Sequence, residues 1–304
     1  MILSEDIYND IVNRFQNQKG SYRELKNAMM EEYRIPNAVL SSLLSNEYRR
    51  RIKKNFYRMN NQGNKLFQRY MNSRSSEKNS SSIIKLAEEI KMSYTLLGRM
   101  IAEKFLQQDD EGATNSSKLA RLKYYMKDST LIEDPDLAYE IFLCVLYDEQ
   151  FGHLTEIISL SLGKEYEHHL QKIIREKNLT FQCEDDLREC GYDKTPDIKL
   201  NVPFAVDGFI VNWIESKALF ASPKIHKGYV EEQYSSYWNR FGTGLVIYWK
   251  GVVDTVIDPK EKRFIVRCEF PENITLLNPF YIASIPKGLK YEGKVLVKEV
   301  PDDG

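Results

Sequence analysis

Apolar residues recur three and four positions apart through the first 128 residues, and Pro36 is the only proline among them, so the pattern predicts helices and no strands. Ser21 can cap a helix that Ile35-Pro36 breaks, and Asn37 can cap the helix that follows. These two helices form a helix-turn-helix outline. Their apolar positions are Leu25, Ala28, Met29, Val39, Leu40, Leu43 and Leu44.

A second helix pair follows a polar run. Residues 72–82 are rich in serine and asparagine and are predicted to form a flexible linker. Beyond them, Lys91-Met92-Ser93 predicts a turn between two short helices, with Ser93 as the cap of the second. We therefore predict a helical domain over 1–71, the linker, and a second helix-turn-helix-like segment over 83–150.

The pattern changes after Asp134-Pro135-Asp136, which is a turn signal. The apolar stretch from Ala138 to Tyr147 predicts a buried helix at the junction. From about residue 179, runs rich in β-branched and aromatic residues predict strands, and Asp207-Gly208 predicts a tight hairpin between the first two runs. The runs are 202–206, 209–214, 244–249, 252–257 and 264–270. The chain is therefore expected to be an α+β multi-domain protein with an all-helical first half.

The composition is that of a globular chain rather than a disordered or membrane-spanning one. Of 304 residues, 42% are hydrophobic and 29% are charged. No run approaches the ~18–20 consecutive apolar residues that a membrane helix needs. Glu5 and Asp6 lie where a signal peptide would carry basic residues, so we expect a nuclear or cytoplasmic protein.

The net charge of −1 hides an uneven distribution. Residues 1–128 carry 23 Lys and Arg against 15 Asp and Glu, whereas residues 129–304 carry 20 against 29. A basic half can bind a polyanion, and an acidic half can hold divalent cations. The densest basic run ends the second predicted helix, and its candidate nucleic-acid contacts are Arg49, Arg50, Arg51, Lys53 and Lys54. A solvated helix face or a localisation signal explains this run equally well, and helix pairs also occur in plain helical scaffolds.

Two acids and a lysine converge in the β-rich half. Thr195-Pro196-Asp197 opens one predicted strand, and Glu215-Ser216-Lys217 closes the next, with a hairpin between them. Side chains alternate along a strand, so Glu215 and Lys217 project from the same face. Phosphodiester hydrolysis uses this combination, because carboxylates hold Mg²⁺, the metal lowers the pKa of a bound water, and an ammonium orients that water or helps to deprotonate it.

The turn imposes a condition on this site. If Asp207-Gly208 is a two-residue turn, the numbers of paired residues sum to 415, which sets Asp197 on the face opposite to Glu215. A one-residue bulge or a three-residue loop would bring both acids to one face, and Pro203 is poorly tolerated in a regular ladder. We therefore predict an irregularity between residues 201 and 209.

The histidines and cysteines do not support a zinc site. His168 and His169 are adjacent, so on a helix they point about 100° apart, and no matching pair of ligands lies at zinc spacing. We predict that both histidines lie at the surface. The cysteines are also too few and too scattered for a disulfide framework, and we expect reduced thiols at Cys144, Cys183, Cys190 and Cys268.

Pro196-Asp197 followed by Glu215-Ser216-Lys217 resembles the PD-(D/E)xK signature of the restriction-endonuclease-like nucleases. The resemblance implies an α/β core in the order αβββαβ, and the sequence offers the same order of elements. The elements are a helix over 163–177, a meander over 179–217, a helix over 228–240 and a strand over 244–249.

The same resemblance implies further site residues. In that superfamily the first core helix often presents a glutamate to the metal, and Glu167 matches this better than Glu165. The second helix commonly contributes a glutamine or lysine, which Gln233 resembles, with Tyr237 one turn on. The implied site is Asp197, Glu215 and Glu167 as ligands of Mg²⁺ or Mn²⁺, Lys217 orienting the attacking water, and Gln233 positioning water or phosphate.

Longer segments around these residues carry a closer resemblance. They are 191–197, 213–218, 236–242 and 244–249, together with Met1-Ile2-Leu3. These segments resemble the codanin-1-interacting nuclease family. That resemblance implies two N-terminal helix-turn-helix segments, a nuclease domain over 151–280, binding to codanin-1, and a nuclear and cytoplasmic location. The sequence departs from the family at Thr243, where a proline is usual, and in a C-terminal extension over 281–304.

Three functions fit these patterns. The first is a metal-dependent nuclease that hydrolyses phosphodiester bonds of nucleic acid, with DNA as the expected substrate, in complex with codanin-1. The second is a non-catalytic adaptor of codanin-1 in chromatin assembly that retains the nuclease fold. The third is a DNA-binding regulator, which rests only on the helix pairs. The intact acid-acid-lysine set favours the nuclease, although an acidic nuclease half needs the helical half or a partner to bring it substrate.

Overall fold

The structure is a computed structural model, and it describes residues 1–17, 22–76, 82–109, 114–277, 289–292 and 295–298. Within these ranges most of the first half is helical, as its apolar periodicity predicts. The helices are α1 (Glu5–Asn17), α2 (Tyr22–Tyr33), α3 (Asn37–Asn60), α4 (Gly63–Ser76), α5 (Ser82–Ile90), α6 (Tyr94–Asp109), α7 (Asn115–Tyr125), α8 (Pro135–Tyr147) and α9 (His153–Glu176). No described helix is long and apolar enough to cross a membrane.

The second half contains the β-sheet and short helices. β1 (Ile2–Leu3) lies in the first half, and the other strands are β2 (Phe181–Cys183), β3 (Ile198–Val206), β4 (Phe209–Lys217), β5 (Gly244–Tyr248), β6 (Val252–Val253), β7 (Phe264–Arg267), β8 (Thr275–Leu276), β9 (Leu289–Glu292) and β10 (Val295–Lys298). The helices among them are α10 (Glu184–Glu189), α11 (Pro223–Tyr229) and α12 (Ser235–Phe241). A π-helical turn over Val230–Tyr234 joins α11 to α12.

The main sheet is mixed, with strand order β2-β3-β4-β5-β7 and β8 paired to β3. β2, β3 and β4 are antiparallel neighbours, whereas β5 runs parallel to β4 and β7 runs parallel to β5. This arrangement confirms the α+β class.

Three strand predictions need correction. The absence of strands from the first half was wrong, because β1 pairs in parallel with β6. The run over 252–257 is a strand only at Val252–Val253, since a 3-10 turn over Asp254–Val256 follows. The last predicted strand ends at Arg267. In the predicted C-terminal extension, β9 and β10 form an antiparallel pair, and the rest lies outside the described residues.

The first helix pair, α2 and α3, packs against one face of the sheet. Three leucines of α3 lie in one hydrophobic core with Trp213 of β4 and Val246 and Tyr248 of β5, which we call the shared core. Those leucines are Leu40, Leu43 and Leu44. α9 covers the opposite face, where Leu170 and Ile174 contact a core formed by Ile198, Ile214, Leu245 and Ile247. Ser21, the predicted cap of α2, lies outside the described residues.

The second helix pair, α5 and α6, has a core of its own. It packs with α4, α7 and α8 around residues such as Ile83, Leu97 and Ile141, which we call the helical core. Ser93 caps α6 as predicted, because its hydroxyl accepts the backbone N–H of Leu96 at 3.1 Å. α4 continues to Ser76 and α5 begins at Ser82, so the predicted linker narrows to 77–81, which lies outside the described residues.

The helix at the junction is α8, and it is only half buried. Asp134 caps it by accepting the backbone N–H of Leu137 at 2.9 Å. Ile141 and Cys144 lie in the helical core, but the opposite face carries exposed apolar side chains. The prediction of a buried helix was therefore wrong for that face, which is formed by Tyr139, Phe142, Leu146 and Tyr147.

Candidate active site

β3 and β4 pair in two registers. Asp207 and Gly208 both have positive φ, 50° and 80°, as a two-residue hairpin turn of this kind requires. Next to the turn, the numbers of paired residues sum to 415, but beyond a register shift between Lys199 and Phe204 they sum to 412. The predicted irregularity is therefore confirmed, and it displaces the register by three residues.

The register shifts because backbone N–H groups of both strands form hydrogen bonds outside the β3–β4 ladder. Four residues of β3 face a single residue of β4, Asn212. The N–H of Asn201 donates to the carbonyl of Thr180 at 2.9 Å, and the N–H of Asn212 donates to the carbonyl of Thr243 at 2.8 Å. Pro203 has no N–H to contribute to the ladder. The β3–β4 ladder is interrupted where these groups turn to other strands and loops.

Because the shift is odd, it turns Asp197 to the face of Glu215. In the second register Ile198 pairs with Ile214, so the preceding residue, Asp197, lies opposite Glu215. The backbone N–H of Asp197 lies 3.4 Å from Glu215 Oε2. The N–H of Ser216 donates to Asp197 Oδ2 at 2.7 Å. The two carboxylates therefore lie side by side across the two strands.

Lys217 joins them from the same strand face. Its Nζ lies 2.5 Å from Glu215 Oε1 and 4.6 Å from the centre of the Tyr229 ring. Glu215 is only 3% exposed, and the side chain of Lys217 is 16% exposed. A buried carboxylate of this kind is stable only with a charged or hydrogen-bonding partner, and Lys217 supplies one.

The electrostatics of the three groups are linked. Burial and then the charge of Glu215 raise the pKa of Asp197 well above its usual value. Burial also raises the pKa of Glu215, and Lys217 opposes that rise. Burial alone would lower the pKa of Lys217, but the two carboxylates outweigh burial and raise that pKa. Lys217 is therefore an ammonium ion at neutral pH.

A pocket in front of Asp197 contains Glu167. It is lined by Lys164, Glu167, His168, Gln171, Cys183, Glu184, Asp185, Asp197 and Ile198. Lys164 Nζ lies 2.7 Å from Glu167 Oε2. The alternative glutamate, Glu165, is exposed and is not among the lining residues. Of the two glutamates, the structure brings Glu167 to the pocket that Asp197 lines.

Sequence reasoning missed several lining residues. Both histidines are exposed, but His168 also lines the pocket, and the ring centroid of His169 lies 5.3 Å from that of Trp249. The lining positions on α9 are 164, 167, 168 and 171, and this spacing on one helix face is the signal that could have found them. Glu184 and Asp185 come from α10, a six-residue helix that was not predicted.

Gln233 lies on the π-helical turn. Its Oε1 atom is buried and has no hydrogen-bond partner among the described residues. Tyr237 is buried with its ring centroid 5.3 Å from that of Trp213. π-helical turns occur frequently at functional sites. Gln233 is not one of the residues that line the pocket, so its predicted role at the site stays a prediction.

Comparison with known proteins places the chain in a family. A family model described as "Protein of unknown function TPD sequence-motif" matches residues 133–270. The human CDAN1-interacting nuclease 1 is 35% identical over 91% of this chain and 98% of its own. The Xenopus laevis protein of that name is 38% identical over 79% of each chain, and the Danio rerio one is 35% identical over 88% of this chain and 89% of its own.

The chain belongs to the CDAN1-interacting nuclease family. No solved structure matches it. The match to the TPD model spans α8, α9 and most of the sheet, and the tripeptide Thr195-Pro196-Asp197 lies within it. In this member of the family, that tripeptide ends directly before β3 and presents Asp197 to Glu215.

The basic run of this family member lies on the second half of α3. The guanidinium of Arg51 packs over two rings, 4.8 Å from the centre of Phe15 and 5.2 Å from that of Tyr48. Arg50 forms an ion pair with Glu47. Arg49 is partly buried, whereas Lys53 and Lys54 are exposed. The two lysines are thus the members most open to a ligand, and nucleic-acid binding by the run stays a prediction.

Metal binding rests on few ligands. Among the residues that the structure describes, no group of three His, Cys, Asp or Glu side chains lies close enough together to hold a metal ion. Asp197 and Glu215 are the closest candidates, because they face each other across the strands. Mg²⁺ is commonly bound through one or two carboxylates, with waters and substrate phosphates completing its shell. Carboxylate oxygens suit Mg²⁺ or Mn²⁺ better than Zn²⁺, and metal binding by these two residues stays a prediction.

Proposed function

We propose that this chain is a Mg²⁺- or Mn²⁺-dependent nuclease that hydrolyses phosphodiester bonds of nucleic acid, with DNA as the expected substrate. The observation that carries the proposal is the register shift, because it brings Asp197 opposite Glu215 and beside Lys217. A regular hairpin would have separated the two acids. The names of the relatives, which call them nucleases, point the same way.

The proposal assigns a role to each group. Asp197 and Glu215 would hold the metal, and Glu167 of α9, which lines the same pocket as Asp197, would be a supporting ligand only by coming closer to them. When bound, the metal would neutralise phosphate charge and lower the pKa of a water. Without a metal, the two carboxylates raise the pKa of Lys217, so its ammonium group would orient water or stabilise phosphate charge. Gln233 would position water or phosphate through its unpartnered Oε1 or its amide N–H groups.

The order of elements supports a restriction-endonuclease-like core. α9, β2, β3, β4, α11 with α12, and β5 follow one another as that core requires. Two features differ from the simple αβββαβ pattern. α10 is inserted between the first two strands, and the second helix is divided by the π-helical turn.

We further propose that the protein acts with codanin-1, in the nucleus and the cytoplasm. The relatives carry CDAN1, codanin-1, in their names. An acidic nuclease half repels nucleic acid, so a partner or the basic helices must contribute to substrate binding. Residues 129–304 carry nine more acids than Lys and Arg.

The test is cleavage of single-stranded, duplex, forked and RNA substrates with Mg²⁺ or Mn²⁺. Asp197→Asn and Glu215→Gln should each lose at least about 100-fold in rate, because each removes a charged metal ligand. Lys217→Ala should lose cleavage but keep Mn²⁺ binding in calorimetry. Glu165→Gln, on an exposed position of α9, is the matched control and should cleave like the parent. Equal cleavage by the Asp197, Glu215 and control variants would remove the site assignment.

One observation favours the adaptor as the second candidate. Two of the three candidate metal ligands already have ammonium partners, Glu215 with Lys217 and Glu167 with Lys164. A site whose acids are neutralised by lysines can persist as structure without catalysis. No cleavage by a folded parent that still binds codanin-1 would decide for the adaptor.

A further inference from the structure

α8 exposes an apolar face that the fold leaves uncovered. Tyr139, Phe142, Leu146 and Tyr147 follow a helical spacing and are each between 49 and 62% exposed. The other face of the same helix is buried in the helical core. Large aromatic and aliphatic side chains in a row on the surface of a soluble protein mark a binding surface, because isolated exposure is common but a continuous stripe is not.

The first half of α9 continues this feature. Leu154, Ile157, Ile158 and Leu160 are between 39 and 71% exposed, whereas Leu170 and Ile174 in the second half are fully buried under the sheet. α9 follows α8 after only five residues, and the hydroxyl of Thr155 donates to the carbonyl of Asp148 at 2.8 Å. The apolar stripe of α8 therefore reaches the C-terminal end of α8, close to the first turn of α9. We call these eight side chains the apolar face.

The segment that carries the apolar face is acidic. Residues 129–163 contain seven Asp and Glu and no Lys or Arg. Some of these acids do not add free charge to the surface, since Arg74 pairs with Asp134 and Asp136, and Glu140 and Asp148 are buried. Others, such as Glu133 and Glu156, are exposed on the same segment. The apolar face therefore has an acidic surround.

The negative charge around the apolar face limits the kind of molecule that can bind there. Nucleic acid is repelled by the acidic surround, and its phosphates gain nothing from apolar side chains. A second copy of the chain, related by a twofold axis, would set the same acids against one another. A protein segment with apolar anchors and flanking Lys or Arg is complementary in both respects.

We propose that the apolar face of α8 and α9 binds an apolar segment of codanin-1 that is flanked by basic residues. This inference rests on the proposed partnership with codanin-1 and names the surface that makes it. α9 carries four side chains of the apolar face and also the pocket residue Glu167. Glu167 lies seven positions after Leu160, about 10 Å along the helix and on nearly the same side of it, whereas Ile158 points to the opposite side. A partner that covers Leu160 therefore approaches the candidate active site and can supply positive charge to a half that carries a net negative charge.

The test uses the full chain and recombinant codanin-1, with affinity measured by calorimetry or interferometry. Ile158→Glu and Phe142→Glu should each weaken binding at least 10-fold, because each introduces a charge into an apolar contact. Ile210→Glu is the matched control, since Ile210 on β4 is 55% exposed and lies next to the Asp207-Gly208 turn, and it should bind like the parent. Glu156→Lys should weaken binding several-fold and reduce its dependence on salt.

The outcomes separate this proposal from the broader one. Normal binding by both the Ile158 and Phe142 variants, in folded protein, would overturn the surface while leaving the codanin-1 partnership intact. A parent that does not bind codanin-1 would overturn the partnership and the inference together, while the cleavage assay judges the nuclease independently. A parent dimer in sedimentation that Ile158→Glu dissociates would assign the face to a second copy and also overturn the proposal.

Discussion

The two helix pairs have the same sequence pattern but different surroundings. The apolar positions of α2–α3 and of α5–α6 recur with the same helical spacing, so they look like two copies of one motif. In the fold, α3 is part of the shared core under the sheet, whereas α6 belongs to the helical core. Periodicity thus identifies the face that a helix buries but not what lies against that face.

Each pair also supports a different part of the candidate site. Ser42 and Asn46 of α3 hold Phe220, because the N–H of Phe220 donates to Ser42 Oγ at 2.8 Å and Asn46 Nδ2 donates to its carbonyl at 3.1 Å. Phe220 comes three residues after Lys217. At the second pair, Asp148 accepts the N–H of Thr95 at 3.0 Å and precedes α9, which carries Glu167. The first pair therefore steadies the end of β4, and the second steadies the start of α9.

The largest expected effect comes from a matched pair of core truncations. Leu40→Ala and Leu97→Ala remove the same atoms from fully buried positions, one in each core, and each should lower the free energy of unfolding by about 2–5 kcal/mol. Hydrogen exchange should rise in β5 for Leu40→Ala only, and in α5 and α8 for Leu97→Ala only. Equal exchange increases in both regions with either variant would show that the two cores open as one unit.

A second difference between the cores is their response to pH. His226 contacts Tyr248 of the shared core, with 2.9 Å between Nδ1 and the phenol oxygen, and burial lowers the pKa of His226 to about 4. The unfolded chain has a histidine pKa of about 6.5, so it binds more protons between pH 6.5 and 4. The contribution of His226 to stability is present above pH 6.5 and is lost as the pH falls toward 4, a change of about 3 kcal/mol at most.

Urea unfolding at several pH values checks this change. His226→Gln should flatten the pH dependence between 6.5 and 4, because glutamine does not titrate. His169→Gln, at an exposed histidine, is the control and should follow the parent. The same slope for parent and His226→Gln would show that other groups cause the dependence.

The site shows how far sequence reasoning reaches. The arithmetic of the Asp207-Gly208 turn, with Pro203 in the preceding strand, is local, so it predicts that the β3–β4 ladder is interrupted between the turn and Asp197. The size of the register shift cannot be predicted from the local sequence. It depends on the hydrogen bonds of Asn201 and Asn212 to Thr180 and to Thr243, which only the assembled sheet supplies.

The exposed face of α8 lay beyond sequence reasoning for another reason. Apolar side chains that meet a core and those that meet a partner have the same composition and spacing. The stretch from Ala138 to Tyr147 therefore predicts burial all round, and only the packing of Ile141 and Cys144 shows that one face is left over. α10 was missed because its acidic sequence has almost no apolar periodicity, with Leu187 as its buried residue.

A smaller effect concerns nucleic-acid binding by the two helix pairs, α2–α3 and α5–α6. Lys53→Ala/Lys54→Ala on α3 should weaken binding to a short DNA duplex several-fold and reduce the salt dependence by about two phosphate contacts. The basic residues Arg99 and Lys104 on α6 provide the matched control, Arg99→Ala/Lys104→Ala, which should bind like the parent. DNA binding is measured by fluorescence anisotropy over a salt series. Equal losses of affinity for both double variants would show that net charge, and not the first helix pair, determines DNA binding.

The smallest expected effect concerns Glu140 in the helical core. Its contribution to stability falls as the pH rises, which is opposite to that of His226. Glu140 accepts the N–H of Ile83 at 2.7 Å, and burial raises the pKa of Glu140. The folded state therefore keeps this proton when the unfolded chain has lost it, so the contribution of Glu140 is largest at low pH and falls as the pH rises through its raised pKa. Glu140→Gln preserves an acceptor for Ile83 without the buried charge and should slow hydrogen exchange in α5 at pH 7 more than at pH 4. Glu133→Gln, at an exposed position nearby, is the control, and an equal effect from it would mean that reduced acidity, and not the buried carboxylate, sets the response.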